Sequence, residues 1–413
     1  MRRHPAAALL TLFALTISAC DDSGEPAPSS YFVQGTQSVL GSLTVNDIPF
    51  RIGSATVRYL DDGQTIAPGE APAELVFYPG SVIAVRGTVS GDRSQGSAEE
   101  VLLRSVLRGP LQGRGESSIA VAGADVLLDA RTAVIDANGA PTTIAGIAAG
   151  QRVEVHGFPE DGTRIRATLV RALNGTPAVS VRGWSRGIPI AGAFELSLTQ
   201  GGGALLLVQT ATLPPGGVPA DALVSVGGDA VAAGAHPTLT ASRVAVEAQI
   251  LPRPGDRVLV EGIVLAGDQQ QFVLGEHLVR TSSVTAYEGI PVGGNLASSI
   301  AKGTRLVVEG PFLDGVVIAQ RVKVLDLTRL AGRIQPGSFA IGNPATFGVF
   351  TLSGSTVSLD ASTRIVGPTG APLTIVQLAS LHSADLAGLP VVVHGYARAD
   401  GGVQAQRIDV STF

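Results

Sequence analysis

The residues best spaced for catalysis lie between Gly183 and Gly187, which reads Gly-Trp-Ser-Arg-Gly. A Gly-x-Ser-x-Gly spacing can hold a nucleophilic serine on a sharp turn from a strand into a helix, provided that a histidine and a carboxylate activate it. Here the residues that follow, Ile188 to Leu198, alternate as a strand does. The sequence therefore predicts that Ser185 is not catalytic.

The histidines do not have the spacing of a metal site. No pair lies four residues apart on a helical pattern, and none has a cysteine close to it. His156 and His394 occupy one position of a repeated motif, where other copies have Arg86 and Glu309. A position that accepts His, Arg and Glu is typical of a solvated strand face, so we expect no metal and no cofactor.

The remaining candidates for catalytic or ligand-binding residues are two carboxylates and a run of glycines. Asp129 and Asp360 each follow a predicted strand and precede a threonine, which is typical of an Asx-type turn. The glycines at 201–203 lack the Gly-Lys-(Ser/Thr) ending of a phosphate-binding loop and predict a turn. The sequence thus offers no catalytic residue, and we expect no enzyme.

The elements that position these residues are repeated along the chain. The first signal is Gly-x-x-(Ile/Val/Leu)-x-Val-x-Gly, at 80–87, 150–157, 303–310 and 388–395, with a partial copy at 223–227. About ten residues later comes Ala-x-x-(Val/Ile), at 98–101, 167–170, 241–244, 319–322 and 405–408. Upstream, an apolar residue precedes a Thr or Ser by four positions, at Ile52/Thr56, Leu128/Thr132, Val208/Thr212, Val279/Ser283 and Leu359/Thr363. Such periodicity indicates one small unit copied in tandem.

Each copy consists mostly of strand patterns. We place repeats at 32–105, 106–177, 178–250, 251–328 and 329–413. Helical spacing is strongest at 373–386, with a shorter candidate at 295–301, before the Gly-bounded strand. Three strands, one helix and two strands predict an all-β chain of five tandem small OB-like β-barrels; a two-sheet sandwich is the alternative. Short linkers predict barrels strung in a row of roughly 100–150 Å.

Turn residues support this assignment. Asn46-Asp47 separates two alternating runs in the first repeat, and Ser353-Gly354 does so in the fifth. Asp-Gly pairs begin at Asp161, Asp314 and Asp400, between the Gly-bounded strand and the Ala-x-x-(Val/Ile) strand. Asp-Gly favours a two-residue hairpin turn because glycine tolerates a positive φ. We therefore expect a tight hairpin at all three places.

Composition limits the partners. The formal net charge is −5, the only lysines are Lys302 and Lys323, and the only tryptophan is Trp184. Nucleic-acid grooves of OB-like barrels use aromatic platforms in a basic channel. An acidic chain with 4% aromatic residues does not fit that pattern, so we expect no nucleic-acid partner.

The N-terminus predicts export and lipid attachment. Arg2 and Arg3 precede an apolar run that is too short to span a bilayer. The segment that ends in Ala19-Cys20 resembles the lipobox of bacterial lipoproteins, which implies cleavage after Ala19 and acylation of Cys20. Cys20 is also the only cysteine, so no disulfide can form. We predict a signal peptide at 1–19 and a lipidated flexible tether at 20–31.

Sorting and family resemblance complete the sequence-based view. Asp21 resembles the signal that keeps enteric lipoproteins in the inner membrane, which implies its periplasmic side rather than the outer membrane. A lipobox followed by Leu-Asp-Ala-x-Thr (128–132 and 359–363) and the two glycine- and alanine-based signals resembles an envelope-lipoprotein family of unknown function. The resemblance supplies no catalytic residue.

These observations lead to two expectations of function. The first is a non-enzymatic, lipid-anchored array of barrels that presents its surface to an envelope protein or glycan. The alternative is a hydrolase or carbohydrate-active protein with a site between barrels. An enzyme would concentrate polar residues in one unit, whereas the repeated signals are spread over all of them. The sequence does not indicate an oligomeric state.

Overall fold

The computed structural model describes residues 27–59, 64–67, 77–103, 105–115, 117–129, 131–190, 192–211, 213–232, 237–247, 249–289, 296, 300–325, 328–342, 347–360, 363–385, 387–397 and 402–410. Strand accounts for 55% and helix for 4%, arranged as small closed barrels of five strands. The all-β prediction is therefore confirmed, and closed barrels replace the sandwich alternative.

The strands fall into five groups, here called barrels 1 to 5. Barrel 1 contains β1 (Ser29–Thr36), β2 (Thr44–Val45), β3 (Ile48–Arg51), β4 (Thr56–Tyr59), β5 (Gln64–Ile66), β6 (Val82–Val89) and β7 (Gly96–Leu103). Barrel 2 contains β8 (Leu107–Arg114), β9 (Ser118–Val121), β10 (Ala124–Leu127), β11 (Ala133–Ile135), β12 (Arg152–Pro159) and β13 (Arg164–Ala172), with a short 3₁₀ turn at Ile144–Gly146.

Barrel 3 contains β14 (Val179–Ile190), β15 (Ala193–Ser197), β16 (Leu206–Thr210), β17 (Leu223–Ala232) and β18 (Thr238–Val246). Barrel 4 contains β19 (Arg257–Gly267), β20 (Gln271–Leu274), β21 (His277–Arg280), β22 (Ala286–Glu288), β23 (Arg305–Leu313), β24 (Val316–Ile318) and β25 (Arg321–Val324). Barrel 5 contains β26 (Thr328–Arg333), β27 (Ala340–Ile341), β28 (Gly348–Leu352), β29 (Ser355–Leu359), β30 (Arg364–Val366), β31 (Pro372–Leu373), helix α1 (Ile375–Ala384), β32 (Pro390–Ala397) and β33 (Val403–Val410).

Barrel 2 shows how a barrel closes. Strand β8 pairs antiparallel with β9, and β9 with β10, which then runs parallel to β13. Strand β13 pairs antiparallel with β12, and β12 returns to β8. The other groups follow the same order, although single bridges, Gln37 to Val45 and Ile334 to Leu352, complete the rings of barrels 1 and 5. Closure removes the edges that a small open sheet would expose.

The closing glycine of the first sequence signal lies at a β-bulge. Between β12 and β13 the pairing skips Thr168, opposite the step from His156 to Gly157. A Cβ on Gly157 would overlap the carbonyl oxygen of Arg166. The motif therefore ends in glycine because the bulge brings a backbone carbonyl against this position.

The same geometry corrects the motif in barrel 3. There the bulge lies at Gly228, whose Cβ would overlap the Thr240 carbonyl, so the predicted copy at 223–227 is one residue out of register. The leading position is then Asp221, with φ of 54°, in place of glycines such as Gly150, with φ of 77°. Aspartate is one of the few residue types that tolerate this left-handed conformation.

The second and third signals form one structural device. The Thr132 hydroxyl donates to the Ala167 carbonyl at 2.8 Å and accepts from the Asp129 backbone N–H at 3.0 Å. The Asp129 carboxylate accepts from the Arg131 N–H at 2.8 Å, which confirms the predicted Asx-type turn. Thr363 likewise donates to the Ala405 carbonyl at 2.9 Å. The threonine therefore ties the turn to the alanine of the Ala-x-x-(Val/Ile) strand.

In two barrels the predicted Thr or Ser of the third sequence signal is not the residue that occupies this turn position. In barrel 4 the hydroxyl that bonds the Ala319 carbonyl, at 2.7 Å, belongs to Thr285 and not to Ser283. In barrel 1 the equivalent residue is Ala55, because its N–H closes the turn onto the Ile52 carbonyl. Thr56 is therefore the first residue of the next strand. Thr212 of barrel 3 lies outside the described residues.

The predicted turns are confirmed only in part. Asn46 and Asp47 have φ of 48° and 65°, and Asp314 and Gly315 have φ of 49° and 80°, so both form the expected tight hairpins. The prediction at Asp161 is wrong. Its carboxylate instead accepts from the Thr163 and Arg164 N–H groups, both at 2.9 Å, and builds a wider loop. The pair at 400–401 lies outside the described residues.

The helix prediction is confirmed in barrel 5. Helix α1 begins after Thr374, whose hydroxyl accepts from the Gln377 N–H while the Gln377 side chain accepts from the Thr374 N–H. This reciprocal capping box satisfies two helix-end donors. Of the candidate at 295–301, only Leu296, Ile300 and Ala301 are described, with a hydrogen bond of 3.0 Å from the Ile300 N–H to the Leu296 carbonyl.

The barrels do not form the row that the linkers predicted. Strand β1 pairs in parallel with β19, so barrels 1 and 4 share one 14-stranded sheet. Strand β8 pairs antiparallel with β14, so barrels 2 and 3 share an 11-stranded sheet. Barrel 5 has an eight-stranded sheet of its own among the described residues. The prediction failed because edge pairing joins repeats that are distant in sequence.

The apolar cores follow this grouping. One cluster runs through barrels 2 and 3, whereas barrel 5 has a separate one. Phe32, Ala84 and Leu102 of barrel 1 pack into the cluster of barrel 4. A small cluster of Val82, Phe158 and Ile263 joins barrels 1, 2 and 4. Barrels 1 to 4 therefore pack together as one four-barrel assembly.

Candidate binding cavity

The four-barrel assembly encloses a cavity of about 630 Å³, here called the central cavity. Its walls come from β14 of barrel 3, the β12–β13 loop of barrel 2 and the β19–β20 hairpin of barrel 4, with Gln34 and Val82 of barrel 1. The volume lies within the range of about 300–1,000 Å³ that is typical of small-molecule sites. The space exists because repeats from different parts of the chain meet there.

The only tryptophan of the chain lines the central cavity. Val181 and Ser185 of β14 are fully buried, while Arg182 and Trp184 alternate with them and face the cavity. Arg182 bonds Glu247 and lies 3.7 Å from Glu276, another lining residue. The outward face of this one strand thus offers an aromatic ring beside a held guanidinium.

The glycine run at 201–203 forms a second wall. Gly201 has φ of 68°, which confirms the predicted turn. The Gly162 carbonyl accepts from the Leu198 N–H at 2.9 Å, and a Cβ on Gly162 would overlap the Gly203 backbone. Glycines on both sides therefore allow the loops of barrels 2 and 3 to touch backbone to backbone.

Two carboxylates of the β12–β13 loop line the central cavity, and both are held by arginines. Glu160 pairs with Arg166, and the Asp161 carboxylate accepts from the Arg164 guanidinium at 2.7 Å. Partial burial acts to raise the pKa of Asp161, but hydrogen bonds from Thr163 and Arg164 keep it below its usual value. Asp161 is therefore ionised at neutral pH, which suits it to accepting hydrogen bonds.

Ser185 is turned away from the central cavity. It lies in the middle of β14 and is fully buried. Its hydroxyl donates to the Pro219 carbonyl and accepts from the Ala222 N–H at 3.1 Å. The Gly-x-Ser-x-Gly spacing is thus built into a strand, and the serine bridges two backbone groups.

The prediction that the outward face of β12 is exposed to solvent is wrong. His156 is 1% exposed, its Nε2 lies 2.8 Å from Glu154, and its Nδ1 lies 3.3 Å from the Val82 N–H of barrel 1. Glu154 also bonds Arg108 at 3.2 Å and Arg171 at 2.9 Å. The outward face of β12 is covered because barrel 1 packs on it.

This network keeps Glu154 charged. Burial acts to raise the pKa of Glu154, but the hydrogen bond from His156 and the positive charges of Arg171 and Arg108 hold that pKa well below its usual range. In barrel 4 the position of His156 is occupied by Glu309, which is 4% exposed and lies 3.2 Å from Arg257. The side chain of His394 lies outside the described residues.

The other predicted site residues lie apart from the central cavity. Ala19, Cys20 and Asp21 fall outside the described residues, so cleavage, lipidation and sorting stay predictions. Strand β1 begins at Ser29, so the last three residues of the predicted tether belong to a barrel. Among described residues, no group of three or more His, Cys, Asp or Glu side chains is placed to hold a metal ion.

Three segments of the chain match one family model. The family is described as a domain of unknown function, DUF5666, and the matches cover 108–171, 261–323 and 340–409. The domain therefore occurs in tandem, within barrels 2, 4 and 5. These are the barrels in which Thr132, Thr285 or Thr363 bonds the alanine carbonyl. No curated protein matches the chain.

Within the described part of the chain, no helix combines the length and apolar character needed to cross a membrane.

The sequence indicated several pieces of the central cavity without bringing them together. The sequence predicts a strand at Trp184 and a turn at the glycine run, and no sequence feature links the two. The usable signal was a single tryptophan at an outward strand position in a chain with 4% aromatic residues. Solvent-facing tryptophan is uncommon unless it contacts something.

Proposed function

We propose that the chain is a lipid-anchored, non-enzymatic binding protein of the bacterial cell envelope, built from five OB-like barrels, which holds an envelope glycan in the central cavity. The central cavity at the meeting point of four barrels is the observation that carries this proposal. The order of strands around barrel 2, in which the third barrel strand (β10) runs parallel to the fifth (β13), supports the OB-like description. The lipobox ending at Cys20 supports the anchor.

The chemistry of the walls favours a sugar. Trp184 offers a flat apolar surface on which the C–H face of a pyranose ring can pack. Asp161, Glu276 and Lys302 stand around it, so hydroxyl groups would find both acceptors and donors. A largely apolar pocket with a few placed polar groups is the usual form of a small-molecule site.

A binding role fits the carboxylates better than hydrolysis does. Glycosidases pair an ionised carboxylate with a protonated one whose pKa is raised. The pKa of Asp161 is lowered, and Glu160 is paired with Arg166. The hydrolase alternative would use the same central cavity, so the test must measure product as well as binding.

Fluorescence provides that test, because Trp184 is the sole tryptophan. We expect solubilised envelope glycans to shift the emission of the purified chain and to be recovered at unchanged mass. Trp184→Ala should abolish glycan retention, whereas Phe347→Ala, an exposed aromatic of barrel 5, should not. Absence of any shift across the glycan fractions would refute the binding role, and shortened glycans would favour the hydrolase.

Attachment is tested separately. Cys20→Ala should release the protein from the membrane fraction or leave an unprocessed precursor. Mass spectrometry of the wild-type N-terminal peptide should find acyl mass on Cys20. A mature N-terminus elsewhere, without acyl mass, would contradict the anchor and leave the glycan proposal standing.

A further inference from the structure

A second cavity, of about 420 Å³, lies where β1 of barrel 1 runs beside β19 of barrel 4. We propose that this junction cavity binds a small oxyanion, such as a phosphate or a carboxylate group. It is separate from the central cavity, and its walls include Arg131, which barrel 2 contributes.

Basic residues from three barrels converge on the junction cavity. Arg93 comes from the β6–β7 turn and Arg131 from the loop after β10, while Arg321 and Lys323 lie two residues apart on β25. The intervening Val322 is buried and both basic side chains are half-buried, so the alternation of β25 places them on one face. One of the only two lysines in the chain is therefore here.

Two of the three carboxylates that line the junction cavity, those of Glu261 and Glu309, are paired with arginines. The Arg305 Nε donates to Glu261 at 2.7 Å, and Thr36 donates to the other Glu261 oxygen from its N–H and hydroxyl, both at 2.8 Å. Glu309 pairs with Arg257 at 3.2 Å and also with Arg93 of the cavity lining. Arg305 and Arg257 stand outside the lining, so they offset the negative charge without closing the cavity.

The remaining charge is positive. Glu288, the ion-pair partner of Arg321, lies beside the lining as Arg257 and Arg305 do. The lining and these partners together have six basic side chains and four carboxylates: Arg93, Arg131, Arg257, Arg305, Arg321 and Lys323 against Asp47, Glu261, Glu288 and Glu309. The whole chain has a formal net charge of −5. A local excess of positive charge within an acidic protein attracts a small anion to this place.

The donors are also held in position. The Arg131 guanidinium donates to the Leu325 carbonyl at 2.9 Å, and Arg321 pairs with Glu288 at 2.7 Å. The Arg321 Nε is buried and has no hydrogen-bond partner among described residues. The Arg93 guanidinium is held by its ion pair with Glu309. Planar guanidinium groups fixed around a cavity suit the geometry of an oxyanion.

Lysine modification tests the proposal on the full mature chain carrying Cys20→Ala. Reductive methylation is followed at Lys323 and Lys302 by peptide mass spectrometry, in inorganic phosphate, acetate or chloride at equal ionic strength. We expect phosphate or acetate to slow modification of Lys323 several-fold and to leave Lys302 unchanged. Protection by phosphate alone identifies a phosphate site, and protection by acetate alone identifies a carboxylate site. Equal rates in all three salts would refute the proposal.

Calorimetry with inorganic phosphate, or with acetate if only that protects, tests the donors. Lys323→Gln and Arg321→Gln should each weaken binding at least tenfold, while the matched control Arg280→Gln, on an exposed strand position of the same barrel, should not. Melting temperatures establish that each variant is folded. A tenfold loss with Arg280→Gln as well, or no loss with either cavity variant, would overturn the proposal.

Discussion

The four-barrel assembly and barrel 5 are built from the same repeat but meet their surroundings differently. In barrel 2, the outward-facing Glu154 and His156 of β12 are 2% and 1% exposed and form a buried ionic network. Barrel 5 has its own sheet and its own apolar cluster. Closing a barrel and packing it on its neighbours therefore depend on different residues of one strand.

This difference separates two kinds of information in the sequence. Buried apolar residues recur in every copy at the inward positions of Val153 and Val155, because each barrel needs a core. Outward residues vary between copies, because each barrel has a different neighbour. In the sequence, variation at a strand position indicates solvent exposure, whereas in the assembly it indicates an interface that differs from barrel to barrel.

The largest test of the comparison is truncation. Ending the chain after Leu325 removes barrel 5 and should leave the melting temperature of the four-barrel assembly unchanged, because neither shared sheet loses a strand. Removing 29–105 instead takes β1 from β19 and should abolish the cooperative transition. Calorimetry of both chains measures this, and equal losses would show that barrel 5 is part of the assembly.

The next test concerns the outward face of β12. Glu154→Lys places a cation against Arg108 and Arg171 and should lower the free energy of unfolding by about 3–5 kcal/mol, the usual loss for a broken buried ion pair. Glu195→Lys, at a pair whose carboxylate is 54% exposed, should change it by no more than about 1 kcal/mol. Denaturant titration compares them, and equal values would mean that β12 faces solvent.

A smaller effect is expected where the barrels are alike. Thr132→Val and Thr363→Val each leave an alanine carbonyl without its hydroxyl donor and should cost about 1–3 kcal/mol. Thr363→Val should lower only the transition of barrel 5, and Thr132→Val only that of the assembly. The reverse substitution is Ala55→Thr, which gives barrel 1 the threonine that barrels 2, 4 and 5 have at this position. A shared shift of both transitions would contradict their independence.

The smallest effect concerns pH. The pKa of Glu261 is lowered, since the charges of Arg305 and Arg131 and hydrogen bonds from Thr36 outweigh burial, and that of Glu154 is lowered as well. A depressed folded pKa contributes stability above the unfolded value of about 4.3, which is lost as pH falls below it. We expect the melting temperature of the assembly to fall on acidification, and Glu154→Gln to flatten that dependence. An unchanged slope would exclude Glu154 as its source.

Much of the fold could be predicted because the repeat is a local code. The turn at Asp314, the helix after Thr374 and the closing glycines each follow from neighbouring residues, and the structure places them as expected. The residues predicted wrongly, Ser283, Thr56 and Gly227, differ from the actual ones by one or two positions. Spacing alone does not fix the register where a copy has diverged.

The candidate site could not be predicted in the same way. Trp184, Gly162 and Glu276 belong to three barrels. Two edge pairings, β8 with β14 and β1 with β19, and the small apolar cluster that joins barrels 1, 2 and 4 bring those barrels round one space. Each pairing joins strands that carry no mutual signal in the sequence. The central cavity is a property of the assembly, which the repeat pattern does not describe.

The parallel pairing of β1 with β19 sets an order on folding. Tyr31 of β1 pairs with Arg257 of β19, which lies more than 200 positions later in the chain, so β1 gains this partner only after β19 has been synthesised. If the chain is exported as proposed, barrel 1 would emerge with an unpaired edge at β1 and would lack this partner until two further repeats and β19 had followed. Contacts between residues so far apart in sequence slow folding, and until they form, the backbone groups of the unpaired edge strand are exposed to association with other chains. The anchor proposed at Cys20 would hold this unpaired edge close to the bilayer, because only a short segment separates Cys20 from Ser29.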